Sequence, residues 1–276
     1  MTANGPAVRP RLGALARLWV AQRRRSTLGW TLGVVAMTTV TAAMYPTIQN
    51  RPEFQDLLDK YPAELLAFFG GSGLDITSPS GYLTIELFSA MAPVLFVAMG
   101  IAGGAAASGG LEEPGRMALF VSLPIRRRRI GAELAVGVAI PIVTVAAAWF
   151  ITLWACGPLF DLHLSVAKLA AGVLDVTVLA LVVGLTAFAI GLATGKRSAA
   201  IGASTTLAVV SYLADSLAGL VPWLRAARRI SVFSLTLADR PLVNGFHVGD
   251  TAALAAATVA IVLVGLALFE RRDLRG

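Results

Sequence analysis

Leu134 to Phe160 reads LAVGVAIPIVTVAAAWFITLWACGPLF, 27 consecutive residues without a Lys, Arg, Asp or Glu. An α-helix rises 1.5 Å per residue and needs roughly 20 apolar residues to cross about 30 Å of hydrocarbon. The stretch therefore predicts a membrane-spanning helix. Five more charge-free runs reach 17 residues or longer: Ser26–Asn50 (25), Leu87–Leu111 (25), Val176–Gly195 (20), Ser198–Ala214 (17) and Thr251–Phe269 (19). The whole chain of 276 residues is 57% hydrophobic and only 14% charged, against about 25% charged in soluble domains. Its mean hydropathy of +0.75 excludes a soluble globule.

Six spanning helices account for most of the length, so the fold class expected is all-α: one polytopic membrane domain covering residues 1–276. The segments expected are a cytoplasmic interfacial helix at 10–27 and spans at 28–46, 82–108, 130–157, 166–194, 198–220 and 250–269. Outer loops are expected at 47–81 and 221–249, and an inner loop at 109–129. At 100° per residue Leu12, Leu15, Ala16 and Trp19 share one side of the first segment, which suits a basic helix lying in the headgroup layer. Arg23 interrupts that face, so a plain extension of the first span is the alternative. No small-residue cleavage pattern follows a short apolar core, and a removable signal peptide is not expected.

The net charge of +7 is a topology signal. Of 23 basic residues, 16 fall in the N-terminal segment, the second loop, the fourth loop and the tail. By the positive-inside rule these are cytoplasmic. Basic groups that flank apolar spans do not suggest nucleic-acid binding. Twenty of the 23 basic residues are Arg and Ala and Gly are abundant, the bias of a GC-rich bacterial genome.

Enzymatic motifs are missing. Gly191 to Arg197 approaches a phosphate-binding loop but is one residue short between its glycines and has Arg where the Mg-binding hydroxyl belongs. The two histidines, His163 and His247, stand alone in outer loops, and no G-x-S-x-G string occurs. The one cysteine, Cys156, lies in an apolar run and reads as a core residue. No catalytic, metal or cofactor-binding residue is expected.

Two regions carry the functional expectations. The loop 109–129 has an acidic pair, Glu112 and Glu113, ahead of Pro114, Gly115 and Arg116. A short apolar helix through Leu119, Phe120 and Leu123 follows, stopped by Pro124 before Arg126–Arg129. It suits either a docking element for a soluble partner or a helix buried at the lipid interface. Intramembrane acids are functional candidates because each costs about 3 kcal/mol at mid-bilayer. Length arithmetic selects Asp215, at the end of a span too short to leave it in water, with Glu86 second. The same arithmetic places Asp175 and Lys168 at or beyond the outer interface, solvated. Gly100, Gly103, Gly104 and the alanines after them form a small-residue surface for close helix packing.

Four strings, taken in order, resemble the permease subunits of ABC-2 type transporters, especially the six-span bacterial group linked to export of polyketide-like antibiotics. They are Phe68–Gly71 with Thr77–Leu83, Glu86, Phe88 and Ser89; Glu112, Glu113, Gly115, Leu123, Pro124 and the arginines; Ser231, Phe233, Asp239, Pro241, Leu242, Asn244 and Gly245; and Phe269–Leu274. The resemblance implies an ABCG-like transmembrane domain with a coupling helix around Arg116–Leu123, and re-entrant helices within Leu220–Val248. It also implies two separate ATPase subunits that bind ATP and Mg, and a second permease, identical or homologous. Export of an apolar or amphiphilic compound across a bacterial plasma membrane follows as the expected function. A secondary transporter or channel, or a membrane-embedded enzyme or assembly factor, is the alternative.

The topology is open to direct test. In a Cys156→Ser background, single cysteines at residues 4 and 127 should resist an impermeant maleimide in intact cells and react once the cells are permeabilised. Reaction at either position in intact cells would reverse the orientation.

Overall fold

The computed structural model describes residues 12–51, 53–60, 73–122, 124–218, 231–237 and 248–272, with Val221, Leu224 and Leu242. The regular elements among them are all helices: α1 (Ala14–Gln49), α2 (Glu53–Asp59), α3 (Pro79–Ala107), α4 (Gly109–Glu112), α5 (Arg116–Val121), α6 (Arg127–Leu159), α7 (Val166–Thr194), α8 (Arg197–Leu217), α9 (Val232–Leu237) and α10 (Val248–Arg271). Six of them, α1, α3, α6, α7, α8 and α10, are long and apolar enough to cross a membrane. The chain has the architecture of an all-α, multi-pass membrane protein.

Burial runs opposite to that of a soluble bundle. On α8 the buried residues are Ala200, Ser204, Ala208, Ser211 and Ala214, spaced three and four apart, whereas Ile201, Leu207, Val209, Val210 and Leu213 face outward. Comparable exposed rows occur on α1, α6 and α10. Water would not tolerate so much contiguous apolar surface, whereas lipid does.

Helix α7 is the centre. Its sequence is apolar on every side, and it packs against α3, α6, α8, α9 and α10. The closest approach is to α3, where Gly100 lies over Ala180 and Gly184, and Gly104 over Gly184 and Phe188. A Cβ on Gly184 would come within 2.9 Å of the Gly100 backbone, so only glycine allows the two main chains to touch here. Helix α1 packs along α6, with Trp19 against Gly137.

Three sequence expectations change in detail. The interfacial helix at 10–27 and the first span at 28–46 form one uninterrupted helix from Ala14 to Gln49, without the expected break. At 36 residues it is about 54 Å long and exceeds the hydrocarbon thickness by more than a third. Residues 23–30 contain neither proline nor a capping signal strong enough to stop a helix. The third span begins at Arg127 instead of 130, so three arginines lie in its first turn, with extended Arg126 as N-cap. The second span begins at Pro79 and contains a π-helical stretch, Thr84–Met91, in which the Ser89 hydroxyl donates to the Thr84 carbonyl at 2.6 Å. Pro93 lies two residues beyond its end. Its ring clashes with the carbonyl four residues earlier in an α-helix, and a wider turn relieves that clash.

The fourth span, Val166–Thr194, has the expected limits. The fifth, Arg197–Leu217, and the sixth, Val248–Arg271, shift by one to three residues at their ends. In the first outer loop, where the sequence suits one or two short helices through Glu53–Lys60 and Ala63–Phe69, α2 occupies Glu53–Asp59 and the second stretch lies outside the described residues. So does most of the 221–249 loop, apart from α9, which packs on α7, α8 and α10.

The contact between α3 and α7 can be weighed directly. Gly184→Ala should cost about 1–3 kcal/mol by forcing the helices apart, read as a lowered melting temperature in detergent. Gly33→Ala, where nothing lies within 4 Å of the added atom, should be neutral or stabilising because alanine favours the helix. Equal melting of the two variants would contradict the close packing.

Candidate functional site

The loop after α3 is built onto the ends of three other helices. At Ser108 the chain turns, with the serine hydroxyl donating to the Gly104 carbonyl at 2.8 Å. Gly109 then lies against the backbone of Lys196 and Arg197, where any side chain would collide. This contact sets the short α4 beside the turn between α7 and α8, a turn made by Gly195 in the left-handed conformation at φ 68°.

The acidic pair divides its work. Glu112 is buried, at 5% exposure, and its carboxylate pairs with the Arg272 guanidinium at the end of α10. The Arg272 carbonyl in turn accepts from Arg127 Nη1 at 2.8 Å, which ties the start of α6 to the same point. Glu113 is exposed, and its Oε1 accepts from the backbone N–H of Arg197 at 2.8 Å. It thus satisfies a free N–H at the start of α8 and complements that helix dipole. Two adjacent carboxylates hold α6, α8 and α10 to one loop.

Gly115 has φ 71°, a conformation costly for other residues, and its N–H donates to the Glu112 carbonyl at 2.8 Å. The turn redirects the chain into α5. Within α5, Met117 is buried at 1% exposure and Leu119 stands out at 71%. Phe120 is half-buried and packs against the chain's own core. The two neighbouring apolar residues expected to face a partner together are therefore split: Leu119 projects and Phe120 turns inward. Arg116, Pro124 and Arg126 are exposed, and Leu123 lies outside the described residues.

A third carboxylate performs a similar task for α1. Glu133 Oε2 accepts from the Leu15 N–H at 2.9 Å, and its Oε1 accepts from Arg129 Nε at 2.9 Å. The first turn of α1 is thereby fastened to α6.

The pathway candidates stand apart from this cluster. Glu86 is half-buried in the π-helical stretch and Asp215 half-buried in the last turn of α8, where it is engaged with a neighbour. Asp175, expected to be solvated, is buried at 6% exposure and has a partner. Length arithmetic places a residue along the membrane normal only, whereas packing on every side of α7 decides its exposure. No group of three or more His, Cys, Asp or Glu residues able to hold a metal occurs among the described residues. His163 is exposed, Cys156 buried and His247 outside the described residues.

Arg272, Gly195, Arg197 and Glu133 belong to the assembly, although the sequence did not mark them as site residues. The available signal was scarcity: Glu112, Glu113 and Glu133 are few acids among many arginines, so each has a cation or a helix start within reach. Such a pair can be tested by a double-mutant cycle. Arg272→Ala should cost on the order of 3 kcal/mol by leaving the Glu112 carboxylate buried and unpaired. Adding Glu112→Gln should recover part of that loss, with additive melting shifts the contradicting result. Comparison with protein-family models and with curated proteins gave no match.

Proposed function

We propose that this chain is the transmembrane permease subunit of an ATP-driven exporter of the ABC-2 type. It would work in a bacterial plasma membrane with both termini in the cytoplasm, beside a second permease, identical or homologous. Two separate ATPase subunits would bind ATP and Mg, and this chain would supply no catalytic residue of its own. The observation that carries the reading is the braced loop 109–122. A helix that receives motion from a soluble subunit must be rigidly joined to the spanning helices and must offer an apolar contact outward. The Glu112–Arg272 and Glu113–Arg197 links meet the first requirement and Leu119 the second.

Coupling then follows from differential binding. ATPase closure favours whichever arrangement of α5 fits the closed dimer, and that preference passes through the acidic links to α6, α8 and α10. Sideways grooves support an apolar or amphiphilic cargo. One lies between α3 and α8, lined by Val94, Ala98, Ile101, Ile201, Val209 and Tyr212. A second, between α6, α7 and α10, is lined almost wholly by aliphatic side chains. Asp175 favours the alternative of an ion-coupled transporter, because an acid buried between spanning helices near one end of the bundle can serve as an ion site.

The expected behaviour separates the two. Leu119→Asp should leave folding intact, since the side chain is exposed, and weaken ATPase association by about 2 kcal/mol or more, with loss of substrate-stimulated hydrolysis in proteoliposomes. Unchanged association and stimulation in that variant would count against docking through α5. Transport that persists without ATP and is abolished by Asp175→Asn would favour ion coupling.

A further inference from the structure

Arg23 presents a charge that no described carboxylate neutralises. Its guanidinium lies over the buried Trp19 ring, 4.8 Å from the centroid, and it lines a cleft between α1, α3 and α6 together with Thr27, Trp30, Gly103 and Pro141. No carboxylate pairs with it among the described residues. The charges that act on it most are Arg197 and Arg116, both of its own sign. Of the acids expected at this end, Glu112 is committed to Arg272, Glu113 to the Arg197 N–H, and Glu133 to Arg129 and Leu15; Glu270 is exposed, and Asp273 lies outside the described residues. Among the described residues this half-buried cation stands among like charges with no carboxylate against it.

The position of the cleft indicates what can fill it. Arg23 is two residues before Arg25, after which α1 carries no charge up to Asn50, so it stands at the level where headgroups meet hydrocarbon. Trp30, seven residues further on, is about 10 Å deeper and continues the cleft with Ile142 as an apolar wall. We propose that this cleft is a binding site for an anionic glycerophospholipid of the leaflet at the basic end. Its phosphate would sit on Arg23 with Arg197 and Arg116 contributing long-range attraction, and the start of an acyl chain would lie along the outer side of Trp30. Basic clefts between spanning helices recognise lipid phosphates in this way, and a guanidinium seated over an indole face still has N–H groups to offer phosphate oxygens. The site requires only that the chain lie in a bilayer, and it is independent of the exporter reading.

The full-length chain in detergent, titrated with phosphatidylglycerol or phosphatidylcholine and read by native mass spectrometry, tests this directly. Wild type should bind phosphatidylglycerol in preference to phosphatidylcholine. Arg23→Gln should weaken that binding about tenfold or more, and Arg24→Gln, which removes an equal charge from an exposed position, should change it less than threefold. Arg23→Lys, which keeps the charge and is the safer variant for folding, should fall between them. Equal losses for positions 23 and 24, equal binding of the two lipids, or displacement of the lipid by millimolar inorganic phosphate alone would overturn the proposal. ATPase association should not differ among these variants, so failure here and failure of the exporter reading remain distinct.

Discussion

The backbone contact between α3 and α7 sets the rest of the molecule. Gly100 and Gly104 on one helix and Gly184 on the other remove the side chains that would hold the axes apart, and lipid offers no hydrophobic drive to replace close packing. The register it imposes continues toward the basic end, where Gly191 leaves room for Ser108 and Gly109 meets the turn at Lys196. A larger residue at any of these points would move the loop after α3 away from α8. Glu113 would then miss the Arg197 N–H and Glu112 would miss Arg272. The polar anchors thus depend on an apolar contact several turns away.

At that end the electrostatics are governed by shortage. Sixteen basic residues of the chain are expected there, and three of the five acids beside them serve as ties between elements distant in sequence: Glu112 reaches 160 residues to Arg272, Glu113 reaches 84 to Arg197 and Glu133 reaches 118 to Leu15. Each tie closes a contact between two helix ends, and each uses a carboxylate that could otherwise have neutralised an arginine. The remaining positive charge can serve both to fix orientation in the membrane and to attract anionic lipid.

Much of the architecture was legible because membrane insertion writes a simple code. Charge-free length reveals six spans but not their ends: α7 begins ten residues before its charge-free run at Val176, and α1 twelve before Ser26. What sequence concealed was three-dimensional. The π-helical stretch at Thr84–Met91 leaves no mark in hydropathy, since it inserts nothing and only changes the hydrogen-bond ladder. The Glu112–Arg272 pair joins residues that no periodicity connects. Asp175 was misplaced because distance along the membrane normal says nothing about burial against neighbouring helices. For the candidate site the acidic pair, Gly115 and the short helix were visible, whereas the inward turn of Phe120 was not. A six-residue helix is too short for its pattern to distinguish a face toward the core from one toward a partner.

Under the proposed exporter reading, the structural features form a load path: an exposed leucine on a short helix, a loop braced by two carboxylates, and three spanning helices gripped at one end. The central claim is that soluble ATPase subunits press on this path at Leu119. Site-directed photo-crosslinking tests it most directly, with a benzophenone attached to a single cysteine at 119 or at 117 in the Cys156→Ser chain, in membranes containing the co-expressed ATPase subunits. Crosslinking to the ATPase from 119, at 71% exposure, and not from 117, at 1%, is the expected result. Crosslinking to lipid alone from 119, or equal ATPase crosslinking from both positions, would contradict it.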